Sequence, residues 1–473
     1  MLCAAQLGVK VENPARLQPV RLNRARVEGM TKRLRSLFHR VRYIFSIGGE
    51  DERQNQMSIE TGTIAALERA RAAAPAMALA TTAEKNDFLR RLASAIRDSR
   101  AEIIRANAVD LERARKSGRG GAFVERLTLD DKRIEAMAAG VLQVEALDDP
   151  VGTSIEKWTR PNGLKIEKIR VPIGVIAMIY ESRPNVTVDA AALTLKAGNA
   201  VVLRGGSEAL SSNGFLAGLI SRALKNAGLE ADAATFIRDP DREVIQVMKR
   251  SRDLIELIIP RGGESLKNAL KESAVPLLPH FDGICHTYVD RAADLKMAEE
   301  ICVNAKCSRP SVCNSMEKLL VHRDVAEKFL PALAARMTAA GVELRGDDAT
   351  RKIVPAVRAA TDEDWDAEYL DLILAVKIVD SVDEAMEFIA RHGSHLADAI
   401  VTGDAETAAR FEREVDSATV YVNASTRFTD GFEFGFGAET GISTNRLHAR
   451  GPMGLNELTT YKYVLRGTGQ IRA

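Results

Sequence analysis

Short apolar runs that alternate with helical segments constrain the fold of this chain more than any other feature. Residues 173–179 are apolar, residues 186–196 have helical spacing, and residues 200–204 are again mostly apolar. A strand buried on both faces reads as a continuous apolar run, which is typical of parallel sheets. The alternation recurs over residues 318–322, 325–340, 375–379, 382–391, 398–401, 405–414 and 419–422. The sequence therefore predicts an α/β fold with two doubly wound domains and a site between them.

Residues 155–170 stand outside this alternation. They alternate in polarity on either side of Pro161-Asn162-Gly163, which is the pattern of a β-hairpin. Because the hairpin does not belong to the βα rhythm, we expect an edge arm that pairs with another subunit.

The charge of the chain is divided unevenly. Residues 1–56 carry 11 Lys and Arg against 5 Asp and Glu, whereas the remainder carries 55 against 60. We expect a flexible extension outside the folded protein, or translated sequence upstream of a true start at Met57. The alternative is a basic segment that binds nucleic acid or an acidic membrane. The net charge of +1 argues against nucleic acid as the main partner of the whole chain.

The five cysteines argue against several classes of protein. Their number is odd, and the spacing of Cys302, Cys307 and Cys313 matches neither a zinc site nor a redox pair. We therefore expect no metal, and thiols kept reduced in the cytoplasm. No apolar run approaches the roughly 18–20 residues that a membrane-spanning helix needs, so we expect no contact with a membrane.

Cys313 is the candidate nucleophile. It lies between a helical stretch and the apolar run 319–321, and Lys306 and Arg309 are close in sequence. Cationic neighbours lower the pKa of a thiol, and the thiolate is the attacking species. The alternative is that Cys313 is simply a small buried side chain, as most cysteines are.

Two glycine-rich segments follow predicted strands. Arg204-Gly205-Gly206 opens a helix, where backbone N–H groups and an arginine can bind phosphate. Gly262-Gly263 lets a ligand approach the backbone closely. Asn185 follows another strand and could donate a hydrogen bond to a developing oxyanion. Each has an ordinary alternative, because short glycine motifs and single asparagines are most often turn residues.

Seven motifs, taken in their order along the chain, identify a family. They are Val171–Ile176, Tyr180–Val186, Gly198–Gly206, Ile259–Gly263, Asp282–His286, Arg309–Asn314 and Gly435–Ser443. From Met57 to its end the chain resembles the aldehyde dehydrogenase superfamily and, within it, the gamma-glutamyl phosphate reductase family. Residues 1–56 fall outside the resemblance.

The resemblance implies roles for matching positions. Cys313 is the nucleophile, and Asn185 forms the oxyanion hole with the Cys313 backbone N–H. The implied cofactor is NADPH, and Glu368 holds its nicotinamide ribose. The other implied cofactor-binding residues are Arg204, Gly205, Gly206, Gly262 and Gly263. Candidates for the substrate's carboxylate and phosphate, which the sequence does not rank, are Arg183, Arg309, Arg427 and His395.

The implied reaction reduces L-glutamyl 5-phosphate to L-glutamate 5-semialdehyde through a Cys313 thioester, with release of phosphate, in proline biosynthesis. Oxidising members of the superfamily carry a glutamate that activates water where this chain has Pro260. Without that base the thioester should resist hydrolysis, which argues against the alternative of an oxidising aldehyde dehydrogenase. The usual glycine-rich stretch at the pyrophosphate is also absent, at residues 236–241.

The same resemblance implies domains and partners. An NADP-binding domain comprises residues 57–153 and 171–284, a catalytic domain residues 285–455, and an oligomerisation arm residues 154–170 and 456–473. We expect a homo-oligomer, either a dimer or a tetramer. We also expect transient contact with the glutamate 5-kinase that makes the acyl phosphate.

Deletion of residues 1–56 tests whether the basic segment contributes to function. We expect unchanged turnover and an unchanged oligomeric mass by light scattering, because the predicted catalytic motifs all follow Met57. An inactive or insoluble truncated protein would contradict this expectation. Salt-dependent binding to nucleic acid or anionic vesicles that disappears on deletion would support the alternative.

Overall fold

The computed structural model describes residues 56–278 and 283–472. The predicted basic extension, residues 1–56, therefore lies outside the described residues except for its last position. By their contacts, residues 1–59 and 60–473 are two separate units, and the sheets and the site described below belong to the second.

The described chain alternates helices with strands. The helices are α1 (residues 56–79), α2 (Thr82–Asp98), α3 (Arg100–Lys116), α4 (Gly121–Leu127), α5 (Asp131–Ala146), α6 (Val186–Lys196), α7 (Leu210–Asn226), α8 (Glu243–Arg250), α9 (Glu264–Ala269), α10 (Leu295–Cys307), α11 (Arg323–Ala339), α12 (Asp348–Ile353), α13 (Asp362–Asp366), α14 (Val382–His392) and α15 (Ala405–Glu414). The strands are β1 (Ser154–Thr159), β2 (Lys165–Pro172), β3 (Val175–Tyr180), β4 (Ala200–Gly205), β5 (Ala234–Phe236), β6 (Leu257–Arg261), β7 (Cys285–Val289), β8 (Met316–His322), β9 (Glu343–Gly346), β10 (Arg358–Ala359), β11 (Ile373–Val379), β12 (Ala397–Val401), β13 (Thr419–Val422), β14 (Ile442–Ser443), β15 (Gly451–Pro452) and β16 (Thr459–Arg466).

A four-stranded parallel sheet has the order β5-β4-β3-β6. Every residue of β3 and β4 is buried, which explains why both strands read as continuous apolar runs. Gly198 turns the chain from α6 into β4 with a φ of +79°, a conformation that residues with side chains rarely adopt. Pro260 is accommodated within β6 because β6 lies at the edge of the sheet, where a missing N–H costs little.

Helices α2, α5, α6 and α7 pack into one apolar core with this sheet. Phe88 and Leu92 of α2 meet Val141 of α5, Leu193 of α6 and Leu216 of α7 in that core, all nearly without solvent exposure. Apolar side chains at helical spacing therefore cover one buried sheet, as expected for a wound α/β domain.

A seven-stranded sheet has the order β10-β9-β11-β8-β7-β12-β13 and is parallel throughout. Successive residues of β8 contribute to two different cores: Leu319 and Val321 pack on the side of α10 and α11, whereas Leu320 packs on the side of α14 and α15. Side chains along a strand alternate between its two faces. Helices therefore cover both faces of this sheet, and the predicted doubly wound α/β fold with parallel sheets is confirmed.

The predicted hairpin is present as β1 and β2 in a three-stranded antiparallel sheet of order β1-β2-β16. Its third strand comes from the end of the same chain, and β16 pairs with β2 from Thr459–Pro172 to Arg466–Lys165. Tyr461, Tyr463 and Leu465 on β16 are about half exposed. Pairing of this sheet with another subunit stays a prediction, as do the domain boundaries.

Strands β9 and β10 were not predicted from the sequence. Residues 343–346 read Glu-Leu-Arg-Gly, which has no apolar run, and β10 is two residues long. Both strands lie at one end of the seven-stranded sheet, where less of each strand needs to be apolar. Hydrophobic patterning therefore located the centres of both parallel sheets but not this edge.

Substitution Lys85→Met tests a buried ion pair that ties α2 to the segment after α5. Lys85 is almost without exposure, and its Nζ lies 2.6 Å from Asp149 Oδ2. We expect the free energy of unfolding, measured in urea, to fall by about 3 kcal/mol, because the mostly buried carboxylate loses its countercharge. Lys116→Met is the matched control, since its pair with Glu112 is exposed and should contribute nothing measurable. Equal effects of the two substitutions would contradict the prediction.

Candidate active site

A cavity of about 530 Å³ lies between the C-terminal end of the four-stranded sheet and the start of β8. Its walls include residues 181–183 after β3, residues 261–263 at the end of β6, and residues 311–314 before β8. Open parallel sheets bind their ligands outside the carboxyl ends of the strands. The cavity therefore lies where this fold places a site.

Cys313 lines this cavity, in the turn that joins α10 to β8. The main chain of the turn is held by the Cys285 thiol, which donates to the Cys313 carbonyl oxygen at 3.2 Å. Gly283 packs so closely against the turn that a Cβ at this position would overlap the same carbonyl group. Cys285 and Gly283 thus fix the position of the Cys313 backbone, and Cys313 lines the cavity.

Burial raises the pKa of the Cys313 thiol to about 12, although the Arg261 guanidinium opposes this shift. The carboxylates of Glu439 and Glu368 raise that pKa further. Lys306, which the sequence suggested as a cationic neighbour, is instead buried with its Nζ 3.0 Å from Glu317 Oε2. Cys313 is therefore a protonated thiol at neutral pH, and its attack requires a proton acceptor.

Cationic side chains dominate the cavity wall. Arg427 is held in place, because its Nε donates to Ser308 Oγ at 3.1 Å and its guanidinium contacts the side-chain oxygen of Asn314. A cluster of this kind suits a ligand that carries phosphate or carboxylate groups. Among the described residues, the cations that line the cavity are Arg126, Arg183, Arg261, Lys267, Arg309 and Arg427.

The structure does not bring His395 to this cluster. His395 has a φ of +59°, and its Nδ1 lies 2.8 Å from the carbonyl oxygen of Asp416, away from the residues that line the cavity. The prediction of His395 as a substrate ligand therefore has no support in the geometry, in contrast to Arg183, Arg309 and Arg427. Sequence could not separate them, because residue type alone does not show which of these side chains reaches the cavity.

Carboxylates also line the cavity. Burial raises the pKa of Glu439 to about 7, although the Arg261 guanidinium lowers it in part. This carboxyl group therefore exchanges its proton near neutral pH. Three of the lining carboxylates accept a main-chain N–H from a glycine: Glu181 from Gly263 at 3.2 Å, Glu368 from Gly283 at 2.8 Å and Glu439 from Gly431 at 3.0 Å.

Glu368 lies in a short loop that buried charged side chains hold from behind. Lys318 Nζ donates to the carbonyl oxygen of Ala367 at 2.7 Å, and the Leu370 N–H donates to Glu317 Oε1 at 3.4 Å. Glu317 and Lys318 are consecutive buried residues of β8. The loop is thus tied to the central sheet on both sides of Glu368, which makes the position of this carboxylate well defined.

Arg204 is the penultimate residue of β4, and it is not among the residues that line the cavity. Its Nη2 donates to the carbonyl oxygens of Pro240 and Asp241, at 2.7 and 3.2 Å. Its Nε is buried and has no hydrogen-bond partner among the described residues. The guanidinium therefore lies against the segment 236–241, where the usual glycine-rich stretch is absent.

The two glycine pairs differ in their surroundings. Gly262 and Gly263 line the cavity, and a Cβ on Gly263 would meet nothing within 4 Å, so the backbone is open to a ligand. Gly205 and Gly206 do not line it; a Cβ on Gly205 would overlap the Asn213 side chain. The open space at Gly263 suits a bound cofactor, whereas close packing against Asn213 accounts for the glycine at position 205.

Asn185 begins α6, and its Nδ2 donates to Asp189 Oδ2 at 2.8 Å. Burial raises the pKa of Asp189 to about 6. Asn185 itself is not among the lining residues, although its neighbours Arg183 and Val186 are. Its place in an oxyanion hole with the Cys313 backbone N–H stays a prediction.

Four charged residues of the cavity were not predicted as site residues from the sequence: Arg126, Lys267, Asp430 and Glu439. Arg126 comes from α4, which is far from the other lining residues along the chain. Glu439 lies within the motif Gly435–Ser443, which was the available signal for this part of the site. Chain folding, rather than any local pattern, brings these residues to Cys313.

Within residues 56–278 and 283–472, no group of three or more His, Cys, Asp or Glu side chains is arranged to hold a metal ion. Among the helices in that part of the chain, none combines the length and the apolar character needed to cross a membrane.

The sequence and the fold match proteins of one family. The profile of the aldehyde dehydrogenase family matches residues 54–372. The gamma-glutamyl phosphate reductase of Caldanaerobacter subterraneus is 53% identical over 85% of this chain and 98% of its own length, and that of Moorella thermoacetica is 53% identical over 86% and 97%. The crystal structure of the gamma-glutamyl phosphate reductase from Thermotoga maritima has 47% sequence identity and a TM-score of 0.85, and the match covers 87% of this chain and 100% of that one.

Substitution Gly283→Ala tests the close packing that positions Cys313. The added methyl group would overlap the Cys313 backbone, so the turn must move. A displacement of about 1 Å at a reacting group can cost roughly 10²-fold in rate, and we expect a loss of turnover of that order. Gly140→Ala, where a Cβ meets nothing within 4 Å, should leave turnover unchanged. Full activity of Gly283→Ala in a steady-state assay would contradict the role of this contact.

Proposed function

The chain belongs to the aldehyde dehydrogenase family, to its gamma-glutamyl phosphate reductases, and we propose that it reduces L-glutamyl 5-phosphate to L-glutamate 5-semialdehyde in proline biosynthesis. Identity of 53% over nearly the whole length of a gamma-glutamyl phosphate reductase supports this function. The structural observation that carries it is one thiol, Cys313, in a cavity lined by arginine and lysine side chains.

Cys313 begins the reaction as the nucleophile. Its sulfur attacks the acyl carbon, the bond from that carbon to the phosphate oxygen breaks, and phosphate leaves, so a thioester forms. Arg183, Arg309 and Arg427 line the same cavity, and their charges favour binding of the phosphate and carboxylate groups of the substrate. Neutralisation of the departing phosphate by such cations lowers the barrier to its release.

A nicotinamide cofactor suits the open backbone at Gly263, with Gly262 beside it in the cavity wall, and the carboxylate of Glu368, which can accept hydrogen bonds from ribose hydroxyls. When bound, the reduced nicotinamide supplies the hydride that converts the thioester to the aldehyde. Selectivity for NADPH is proposed from Arg204, whose buried Nε has no partner among the described residues. Arg204 and Gly205 are the last two residues of β4, and Gly206 follows them.

Asn185 and the Cys313 backbone N–H are proposed to stabilise the oxyanion. Both acyl transfer and reduction develop negative charge on the same oxygen, so one pair of donors serves both steps. One hydrogen of the Asn185 amide is directed to Asp189 at 2.8 Å, which fixes the plane of the amide. The second hydrogen of that NH₂ group is the proposed donor to substrate.

Resistance of the thioester to water distinguishes this reaction from that of an oxidising aldehyde dehydrogenase. Pro260 occupies the place of the water-activating glutamate, and Arg261 follows it at the cavity. A guanidinium does not accept a proton from water at neutral pH. The thioester is therefore expected to persist until reduction, which disfavours the oxidising alternative.

Exposed side chains and free thiols bear on the partners and the compartment of the enzyme. Exposed Tyr461, Tyr463 and Leu465 on β16 suit a homo-oligomer, a dimer or tetramer, that associates through the three-stranded sheet. The unstable acyl phosphate favours transient contact with the kinase that makes it. Free cysteines in the described part of the chain suit the cytoplasm. The alternative of nucleic-acid or membrane binding rests on residues 1–56, nearly all outside the described residues.

The reverse reaction tests the function directly. Glutamate semialdehyde and NADP⁺ are supplied with and without inorganic phosphate, and NADPH formation is followed by absorbance. We expect a rate at least about 10²-fold higher with phosphate, because Pro260 stands where the oxidising enzymes carry the glutamate that activates water.

Cys313→Ala is the control for this assay and should abolish turnover while NADPH binding is retained. Cys307→Ala, a half-buried cysteine outside the cavity, should leave turnover unchanged. Rapid NADPH formation without phosphate would mean an oxidising dehydrogenase. Normal turnover of Cys313→Ala would exclude the thioester.

A further inference from the structure

Attack by the Cys313 thiol requires a group that accepts its proton, and none of the roles proposed for the other residues provides one. Burial keeps the Cys313 thiol protonated at neutral pH. Among the described residues that line the cavity there is no histidine, and Pro260 replaces the glutamate of the oxidising enzymes. The acceptor must therefore be found among the carboxylates of the cavity, which are Glu181, Glu368, Asp430 and Glu439.

Two of these carboxylates act on the charge of the thiol. Glu439 and Glu368 line the same cavity as Cys313, and the negative charge of each raises the pKa of the thiol. Glu368 is proposed above to hold the cofactor, and its loop is tied to β8. Glu439 has no such role, and it shares with Cys313 the same cationic neighbour, Arg261. Glu439 is thus the carboxylate that remains for acid–base chemistry.

The position of Glu439 is fixed by its loop. The Gly431 N–H donates to Glu439 Oε2 at 3.0 Å, and a Cβ on Gly431 would lie 2.8 Å from Glu439 Cβ, so only glycine permits this approach. A Cβ on Gly441 would lie 2.6 Å from Arg261 Nη1, which places the guanidinium beside the same loop. Two glycines therefore let the loop close around Glu439 and Arg261.

We propose that Glu439 is the general base that accepts the proton of Cys313 as the sulfur attacks, while Arg261 stabilises the negative charge wherever it lies. This inference rests on the proposed function for its substrate, but not for the proton transfer itself. The S–H bond breaks and an O–H bond forms on Glu439. The freed electron pair of sulfur forms the thioester as the carbon–oxygen bond to phosphate breaks.

The proton balance closes over one turnover. Glu439 passes its proton to the departing phosphate, which leaves as hydrogen phosphate, and the carboxylate is restored. Collapse of the reduced intermediate releases Cys313 as a thiolate, which takes up one proton from water. One proton is thus consumed for each acyl phosphate reduced, as the overall reaction requires.

Charge conservation is the physical reason for this assignment. Ionisation of Cys313 to water would create a second anion beside the Glu439 carboxylate in a poorly solvated site. Transfer of the proton to Glu439 removes that anion at the moment when the thiolate appears. The charges that face Glu439 are Arg261, Asp430 and Cys313. The summed charge of Glu439 and Cys313 does not change during the transfer, because the proton only moves from one to the other.

The structure supports a particular dependence on pH. Burial raises the pKa of Glu439 to about 7, with Arg261 lowering it and Asp430 raising it. The base is present only when Glu439 is deprotonated, so the reactivity of Cys313 should rise as the pH passes through about 7. A second rise at higher pH would report direct ionisation of the thiol.

Alkylation of Cys313 by iodoacetamide tests the proposal without substrate or cofactor. The rate is measured on the full chain from about pH 5 to about pH 10, by mass spectrometry of the peptide that contains Cys313. We expect a step near pH 7 in the unmodified protein and its loss in Glu439→Gln. Glu433→Gln is the matched control, because Glu433 lies exposed in the same loop and does not line the cavity.

If Glu439 acted only through its negative charge, Glu439→Gln would have the opposite effect on the alkylation rate of Cys313. Removal of a negative charge beside the thiol would then make Glu439→Gln react faster than the unmodified protein near neutral pH, and this result would overturn the proposal. Retention of the step in Glu439→Gln would overturn it as well. If Glu439→Gln does not fold, the pH dependence of the alkylation rate in the unmodified protein tests the proposal by itself. A single rise in that rate at high pH, with no step near pH 7, would mean that no such base acts on Cys313.

Turnover provides a second readout. Glu439→Gln should lose roughly 10²-fold in kcat with a small change in KM for NADPH. Failure of the phosphate-dependent assay in the unmodified protein, together with a step near pH 7 in alkylation, would refute the proposed substrate while the proton acceptor stands. An unchanged kcat in Glu439→Gln would refute the general base even if the substrate is correct.

Discussion

Arg261 is the charge on which the chemistry of this site depends. It ends β6 at the cavity, and its guanidinium lowers the pKa of Cys313, of Glu439 and of Asp189. In a poorly solvated site one cation interacts strongly with several acids at once, because little water screens it. The register between β3 and β6 fixes the location of Arg261, because Arg261 pairs with Tyr180 at the end of β3. The sheet thus delivers a cation to a place where three titratable groups meet.

Strong electrostatic interaction away from water also explains the charged residues inside the seven-stranded sheet. Lys306, Glu317 and Lys318 are fully buried, which is costly unless each is paired. Lys306 pairs with Glu317 at 3.0 Å, and Lys318 lies 4.6 Å from the ring centroid of Tyr369. These contacts hold the loop of Glu368 at the cavity. Buried ionic groups therefore serve the geometry of the site, where an apolar core would leave the loop untethered.

Prediction from sequence succeeded where burial determines the pattern of residues. Strands β3, β4 and β8 were located because both of their faces are covered, and the turn with Cys313 because it separates a helix from such a strand. Strand β9 was missed since its polar residues carry no such pattern. Arg126 was missed for a different reason: it reaches the cavity from a distant helix, and nothing local marks it. Glu439 lies within a recognised motif, but the motif does not show that this carboxylate enters the cavity. His395 was predicted on residue type alone, which does not specify position.

The sequence by itself determined the α/β fold and the family, and it indicated Cys313 as the candidate nucleophile, because these depend on local apolar runs and on motifs whose order along the chain can be read directly. Only the tertiary structure decided which charges surround Cys313. Sequence neighbours suggested Lys306, whereas folding places Arg261, Glu368 and Glu439 near the thiol. The physical reason is that electrostatic interaction depends on distance and burial, which the linear order of residues does not contain.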